Sequence, residues 1–185
     1  MIVHRIANSG NDEYYTPPYA VAPILKYLKP DSKVWCPFDT EESYFVKMLR
    51  HEGHEVVATH ISGGADFFET ETPGATDYII SNPPYSLKTE VLQNLFERKV
   101  PFAMLLGIVG IFDSLKRFEM FRDNDFEVMY MNRRVSYFKD YADQKPALNP
   151  PFSSAYFCSG VLPKQIVFEE IDKKKIGRAS CRERV

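Results

Sequence analysis

Apolar residues recur along this chain with two alternating periods. Val21, Ile24, Leu25 and Leu28 follow helical spacing and predict a helix of about two turns. Pro17 and Pro18 suit its first turn, where a missing N–H costs least, and Pro30 ends it. Residues 33–36 read as a short buried strand and residues 37–40 as a turn. Residues 41–51 carry Tyr44, Phe45, Met48 and Leu49 on one helical face, and Gly53 closes that helix.

The alternation continues. Residues 55–60 predict a second strand, and residues 77–81 a third that runs directly into Asn82-Pro83-Pro84-Tyr85. The helical patch Val91, Leu92, Leu95 and Phe96 follows. The nearly unbroken apolar run 101–109 predicts a central strand covered on both faces. A helix around 114–121, a strand at 126–131, an irregular stretch through Pro151, and strands near 154–157 and 166–170 complete the chain. This order predicts one α/β domain, a doubly wound, mostly parallel sheet with a C-terminal antiparallel strand pair. Ligands of such sheets sit at the carboxyl ends of the strands.

Composition narrows the picture. With 185 residues, 44% hydrophobic and 14% aromatic, the chain suffices for one sizeable core. Its longest apolar stretch, 102–111, is about half the ~20 residues a membrane helix needs, and no signal pattern opens it, so a soluble cytoplasmic protein is expected. Cys36, Cys158 and Cys181 are widely spaced, which implies neither disulfide nor metal site. Residues 175–185 lack apolar periodicity and read as a non-native, adaptor-derived tail behind a domain of residues 1–174. Without residues 176–185, Lys+Arg falls from 23 to 20 and Asp+Glu from 25 to 24, for a net charge of −4. An acidic domain does not grip nucleic acid mainly through phosphates, so any such contact is local. Candidate patches are Lys26, Lys29 and Lys33, and then Lys116, Arg117, Arg122, Arg133 and Arg134.

The chemistry concentrates at Asn82-Pro83-Pro84-Tyr85. An adenine amino group is a poor nucleophile because its lone pair is delocalised into the ring. The Asn82 side-chain oxygen and the Pro83 carbonyl can each accept one amino hydrogen and so leave the lone pair aimed at a methyl donor. The two prolines stiffen the turn, and Tyr85 offers a flat face on which a base stacks for about 1–3 kcal/mol.

At these residues the chain resembles the amino-methyltransferase superfamily, whose signature is Asp/Asn/Ser-Pro-Pro-Tyr/Phe/Trp, and in particular its small phage-type DNA N6-adenine methyltransferases. The resemblance spans roughly residues 12–171 and implies the Rossmann-like class I methyltransferase fold. Glu13-Tyr14-Tyr15-Thr16-Pro17 resembles the N-terminal cofactor segment, and Asp66-Phe67-Phe68 the loop that places a carboxylate and an aromatic on the cofactor adenine. Asn149-Pro150-Pro151-Phe152-Ser153-Ser154-Ala155 resembles the late loop that closes on the target base. The resemblance implies S-adenosylmethionine as cofactor, held by Tyr15, Thr16, Pro17, Pro37, Phe38, Asp39, His60, Asp66 and Phe67. It implies Asn82, Pro83, Pro84 and Tyr85 as the catalytic turn, and Tyr85, Lys88, Pro151 and Phe152 for the acceptor. The expected partner is DNA, or RNA, as substrate, with no membrane and no metal.

The match departs from the family in two places. The loop after the first strand has no glycine: Cys36 stands where an acid is usual, and Thr40 and Glu42 where glycines are usual. Asp39, Glu41 and Glu42 are displaced carboxylates that would meet the cofactor's ammonium or sulfonium charge. His60 stands where a carboxylate usually holds the ribose. Two other readings follow. One keeps the reaction but changes the acceptor to RNA adenine or a protein amide; the other is a decayed fold acting as a binding module.

Overall fold

β1 (Lys33–Cys36) is the strand from which the sheet grows in both directions. Val34, Trp35 and Cys36 are fully buried, and their alternate faces feed two separate apolar layers. The computed structural model describes residues 14–148 and 150–173. Glu13, Asn149, Cys181 and the tail 175–185 lie outside the described residues.

The element order is α1 (Pro18–Leu25), β1, α2 (Tyr44–His51), β2 (Glu55–Ala58), β3 (Tyr78–Ser81), α3 (Lys88–Arg98), β4 (Phe102–Gly107), α4 (Leu115–Arg122), β5 (Glu127–Met131), β6 (Tyr137–Phe138), β7 (Pro146–Leu148), β8 (Ser154–Ser159) and β9 (Ile166–Glu169). Pro17 takes the cap position of α1 and Pro18 its first turn, as their missing N–H groups dictate. α2 starts at Tyr44, three residues later than its apolar pattern suggests, because the Ser43 hydroxyl accepts from the Phe45 N–H at 3.1 Å and fixes the cap there. It ends at His51, and Gly53, just past the cap residue Glu52, adopts φ +91.

Seven strands form one mixed sheet in the order β2-β1-β3-β4-β8-β5-β9. The pairs β1/β2, β1/β3, β3/β4 and β5/β9 are parallel, whereas β8 runs antiparallel to both β4 and β5. The expected terminal pair is therefore corrected in part: β8 and β9 run in opposite directions, but β5 lies between them. The stretch expected to be irregular holds the two-stranded ribbon β6–β7, to which Tyr15 adds an isolated antiparallel bridge at Phe138.

Helices cover both faces, as a doubly wound sheet requires. α1 and α2 bury Val21, Ile24, Phe45 and Leu49 against Val34, Ile80, Leu105 and Tyr156. α3 and α4 bury Leu92, Leu95 and Phe121 against Trp35, Ile79, Met104 and Phe157. Among the described residues no helix is long and apolar enough to cross a membrane.

Ile80 is fully buried on the first face, two residues before Asn82. Ile80→Ala is expected to cost about 2–5 kcal/mol of unfolding free energy, read as a lower urea midpoint at unchanged slope.

Candidate functional site

The chain leaves β1 outward to β2 and then returns across it to β3, so the carboxyl ends of β1 and β3 diverge and open a crevice. A cavity of about 280 Å³ lies there, close to the ~300 Å³ at which small-molecule sites begin. Of the residues expected around a cofactor, Tyr15, Thr16, Pro37, Phe38, Asp39, His60, Asp66 and Phe67 all line it, as do Asn82 and Pro84 of the turn. Pro17 and Pro83 are buried and are not among its lining residues. Tyr14, Thr40, Ser43 and Tyr141 also line it, with Ile61, Ser62, Ala65 and Phe68 completing the wall.

Asn82 is held from one side only. Its amide nitrogen donates to the Tyr14 carbonyl at 2.8 Å and to the Thr16 hydroxyl at 3.2 Å. A carbonyl can only accept, so the nitrogen must face Tyr14 and the side-chain oxygen must face away. That oxygen is buried without a hydrogen-bond partner among the described residues. Asp66 repeats the pattern: Oδ1 accepts from the Phe68 N–H at 2.9 Å, while buried Oδ2 has no partner among the described residues. An unsatisfied buried acceptor costs about 1–3 kcal/mol, so each can take a donor from a ligand.

Asp39 has a different environment. Only 6% exposed, its carboxylate accepts from the hydroxyls of Ser43 and Ser81. Burial pushes its pKa up from 3.8 to about 6, against the pull of the two serines. No local pattern marks Ser43 or Ser81 as partners of Asp39, since their roles depend on β1, β3 and α2 meeting at one point. Glu41 and Glu42 turn outward instead: Glu41 pairs with Arg50, and Glu42 with Lys47 at 2.7 Å. Neither lines the cavity, which leaves Asp39 as the one displaced carboxylate of this loop that does. Cys36 is buried, and burial pushes its thiol well above the ordinary value, which disfavours the thiolate.

His60 lies at the end of β2, where its Nδ1 accepts from the Ser62 N–H at 3.1 Å. That bond places the neutral ring's proton on Nε2 and makes the imidazole a donor there. The Asp66 loop is braced by a residue the sequence did not single out. Arg98 donates to the Phe67 carbonyl at 2.9 Å, the Thr70 carbonyl at 3.0 Å and the Thr72 hydroxyl at 2.8 Å. Its guanidinium also lies 5.0 Å from the Trp35 ring and 4.8 Å from the Phe67 ring. Nothing in the local pattern distinguishes Arg98 from any cation in the last turn of a helix.

Beyond the turn the rings crowd together. Tyr85 stacks on Tyr14, and its hydroxyl meets that of Tyr137 at 2.7 Å, which donates to Ser154 at 2.7 Å. Phe152 meets Tyr85 edge-on at 5.4 Å and lies so close to Gly107 that a Cβ there would stand 2.9 Å from its ring. Phe152 thus packs beside Tyr85. Lys88 and Pro151 do not: Lys88 donates to the Val109 carbonyl at 3.0 Å, and Pro151 is exposed. Neither lines the cavity.

Compared by sequence, the chain matches no protein-family model and no curated protein. By structure it is similar to a modification subunit of a putative type I restriction enzyme from Vibrio vulnificus YJ016. The TM-score is 0.56 at 11% identity, with 92% of this chain and 50% of that chain covered. The chain therefore spans half the length of that neighbour and shares its fold.

Asp39 makes stability depend on pH with a definite sign. Its folded pKa lies above its ordinary value, so the folded state prefers the protonated form. That advantage is complete below pH 3.8 and is lost as pH rises through about 6, roughly 3 kcal/mol in all. Unfolding free energies of the parent and Asp39→Asn at pH 4 and pH 7 are expected to differ in pH dependence by about that amount, with the parent losing more.

Proposed function

We propose that the chain is an S-adenosylmethionine-dependent methyltransferase acting on an exocyclic amino nitrogen, N6 of adenine in DNA. The observation that carries this reading is the Asn82 oxygen: a buried acceptor with no donor among the described residues, fixed in direction by two bonds on its amide side, in a residue that lines the cavity. A preorganised acceptor of this kind aligns an amine without reorganisation at the moment of reaction. The fold shared with a restriction enzyme's modification subunit points the same way.

The lining fits the cofactor in its chemistry. Asp66 Oδ2 suits an exocyclic amino group of the cofactor adenine, with Phe38 and Phe67 as its apolar walls. His60, at the cavity wall, would contribute a hydrogen bond to a ribose hydroxyl. Asp39 offers a buried negative charge to an ammonium or sulfonium, in place of the glycine-rich approach that this loop lacks. Bound there, S-adenosylmethionine would supply an activated methyl group. Asn82 and the Pro83 carbonyl would accept the two amino hydrogens, Pro84 would hold the turn rigid, and the departing proton would pass to water after transfer.

Nucleic acid is the acceptor that best suits the surface around Tyr85. Arg133 and Arg134 are exposed on the connection that leads from β5 into Tyr137, the partner of Tyr85, and Lys139 is exposed just beyond β6. A strand whose base enters beside Tyr85 would carry its phosphates past this connection. The reading of a decayed fold is less well supported, because Asn82 and Asp66 each retain a costly buried acceptor.

Calorimetry with S-adenosylmethionine tests the cofactor, with micromolar binding expected that strengthens as pH rises through about 6 and Asp39 ionises. Absence of binding at millimolar concentration would end the proposal. Tritiated methyl transfer to DNA, RNA and protein pools identifies the acceptor, and Asn82→Ala is expected to lower turnover by about 10².

A further inference from the structure

Tyr14 stands between the two halves of the site. It lines the cavity, yet its ring stacks on Tyr85 with centroids 5.3 Å apart and planes at 23°. Phe152 closes the group, its ring edge-on to Tyr14 at 6.3 Å and to Tyr85 at 5.4 Å. A planar ligand held between two aromatic faces needs them about 7 Å apart, twice the ~3.4 Å rise of stacked bases. The observed spacing admits none, so one face of Tyr85 is covered by a ring of the chain itself.

The backbone around that ring is pinned. The Tyr14 carbonyl accepts from Asn82 at 2.8 Å, and Tyr15 pairs with Phe138 through two backbone bonds of 2.9 and 3.4 Å. The phenol can therefore leave Tyr85 by side-chain rotation between staggered states, without releasing Asn82 or turning its oxygen away.

We propose that Tyr14 governs acceptor entry and selects planar acceptors: its ring holds the acceptor's place on Tyr85 and is exchanged for it. The inference rests on the reading above for the location of the acceptor, and adds the residue that decides which acceptor enters. Exchange of one stacked ring for another is nearly balanced, so a flat base loses little by displacing Tyr14. A side-chain amide has no ring to offer Tyr85 in return, which disfavours a protein amide as acceptor.

Binding of a fluorescein-labelled oligodeoxyadenylate to the full chain, read by anisotropy, tests this without any transfer step. Tyr14→Ala is expected to bind it about 3–10-fold tighter than the parent. Tyr14→Trp, with its larger stacking surface, should bind it more weakly, and Tyr14→Phe as the parent does. An abasic oligomer of equal length and charge should show no difference among the four proteins. Equal or weaker adenylate binding by folded Tyr14→Ala overturns the proposal, as does an equal gain for the abasic oligomer. Should Tyr14→Ala fail to fold, equal or tighter binding by Tyr14→Trp does the same. Failure of methyl transfer in the parent, with this affinity ranking intact, would sink only the methyl-transfer reading.

Discussion

Two hydrogen bonds from the Asn82 amide, to the Tyr14 carbonyl and the Thr16 hydroxyl, join parts of the chain that lie 68 and 66 residues apart. They fix the direction of the Asn82 oxygen and also seat the N-terminal segment across the carboxyl end of β3. That segment then lines the cavity and carries the Tyr14 ring that rests on Tyr85. Without this contact the cavity would lose a wall and the acceptor oxygen its aim.

Around this contact, buried polar groups divide into satisfied and unsatisfied ones. Each Asp39 oxygen accepts from a serine hydroxyl and Arg98 is satisfied by carbonyls of the Asp66 loop, whereas Asn82 and Asp66 each keep one oxygen open among the described residues. The satisfied groups set the positions of the loops, which limits how far the open oxygens can drift. A ligand that supplied the missing donors would recover the cost of burying those oxygens, and selectivity for amino-bearing ligands follows from that asymmetry.

The loop after β1 reaches the cavity without glycine. Its turn at Pro37–Phe38 is tied to β2 through the Asp39 N–H and the Thr59 carbonyl at 3.2 Å, so the strand pairing is prolonged past Cys36. Phe38 and Phe67, 4.8 Å apart, form an apolar wall where a glycine-rich loop would present backbone. The site is thus built from aromatic faces and buried acceptors.

The sequence by itself determined the α/β alternation, the position of most elements, the carboxyl-end location of Asn82-Pro83-Pro84-Tyr85, and most of the residues that meet in the cavity. These follow from apolar periodicity and from proline and glycine chemistry, both of which act over a few neighbouring residues. Only the tertiary structure decided that β8 inserts between β4 and β5, that Glu41, Glu42 and Lys88 bond elsewhere, and that Ser43, Ser81 and Arg98 serve the site. Only it placed Tyr14 on Tyr85 and buried Asp39 deeply enough to raise its pKa. The direction of a side chain and the burial of a charge are set by partners tens of residues away, and no local pattern encodes them.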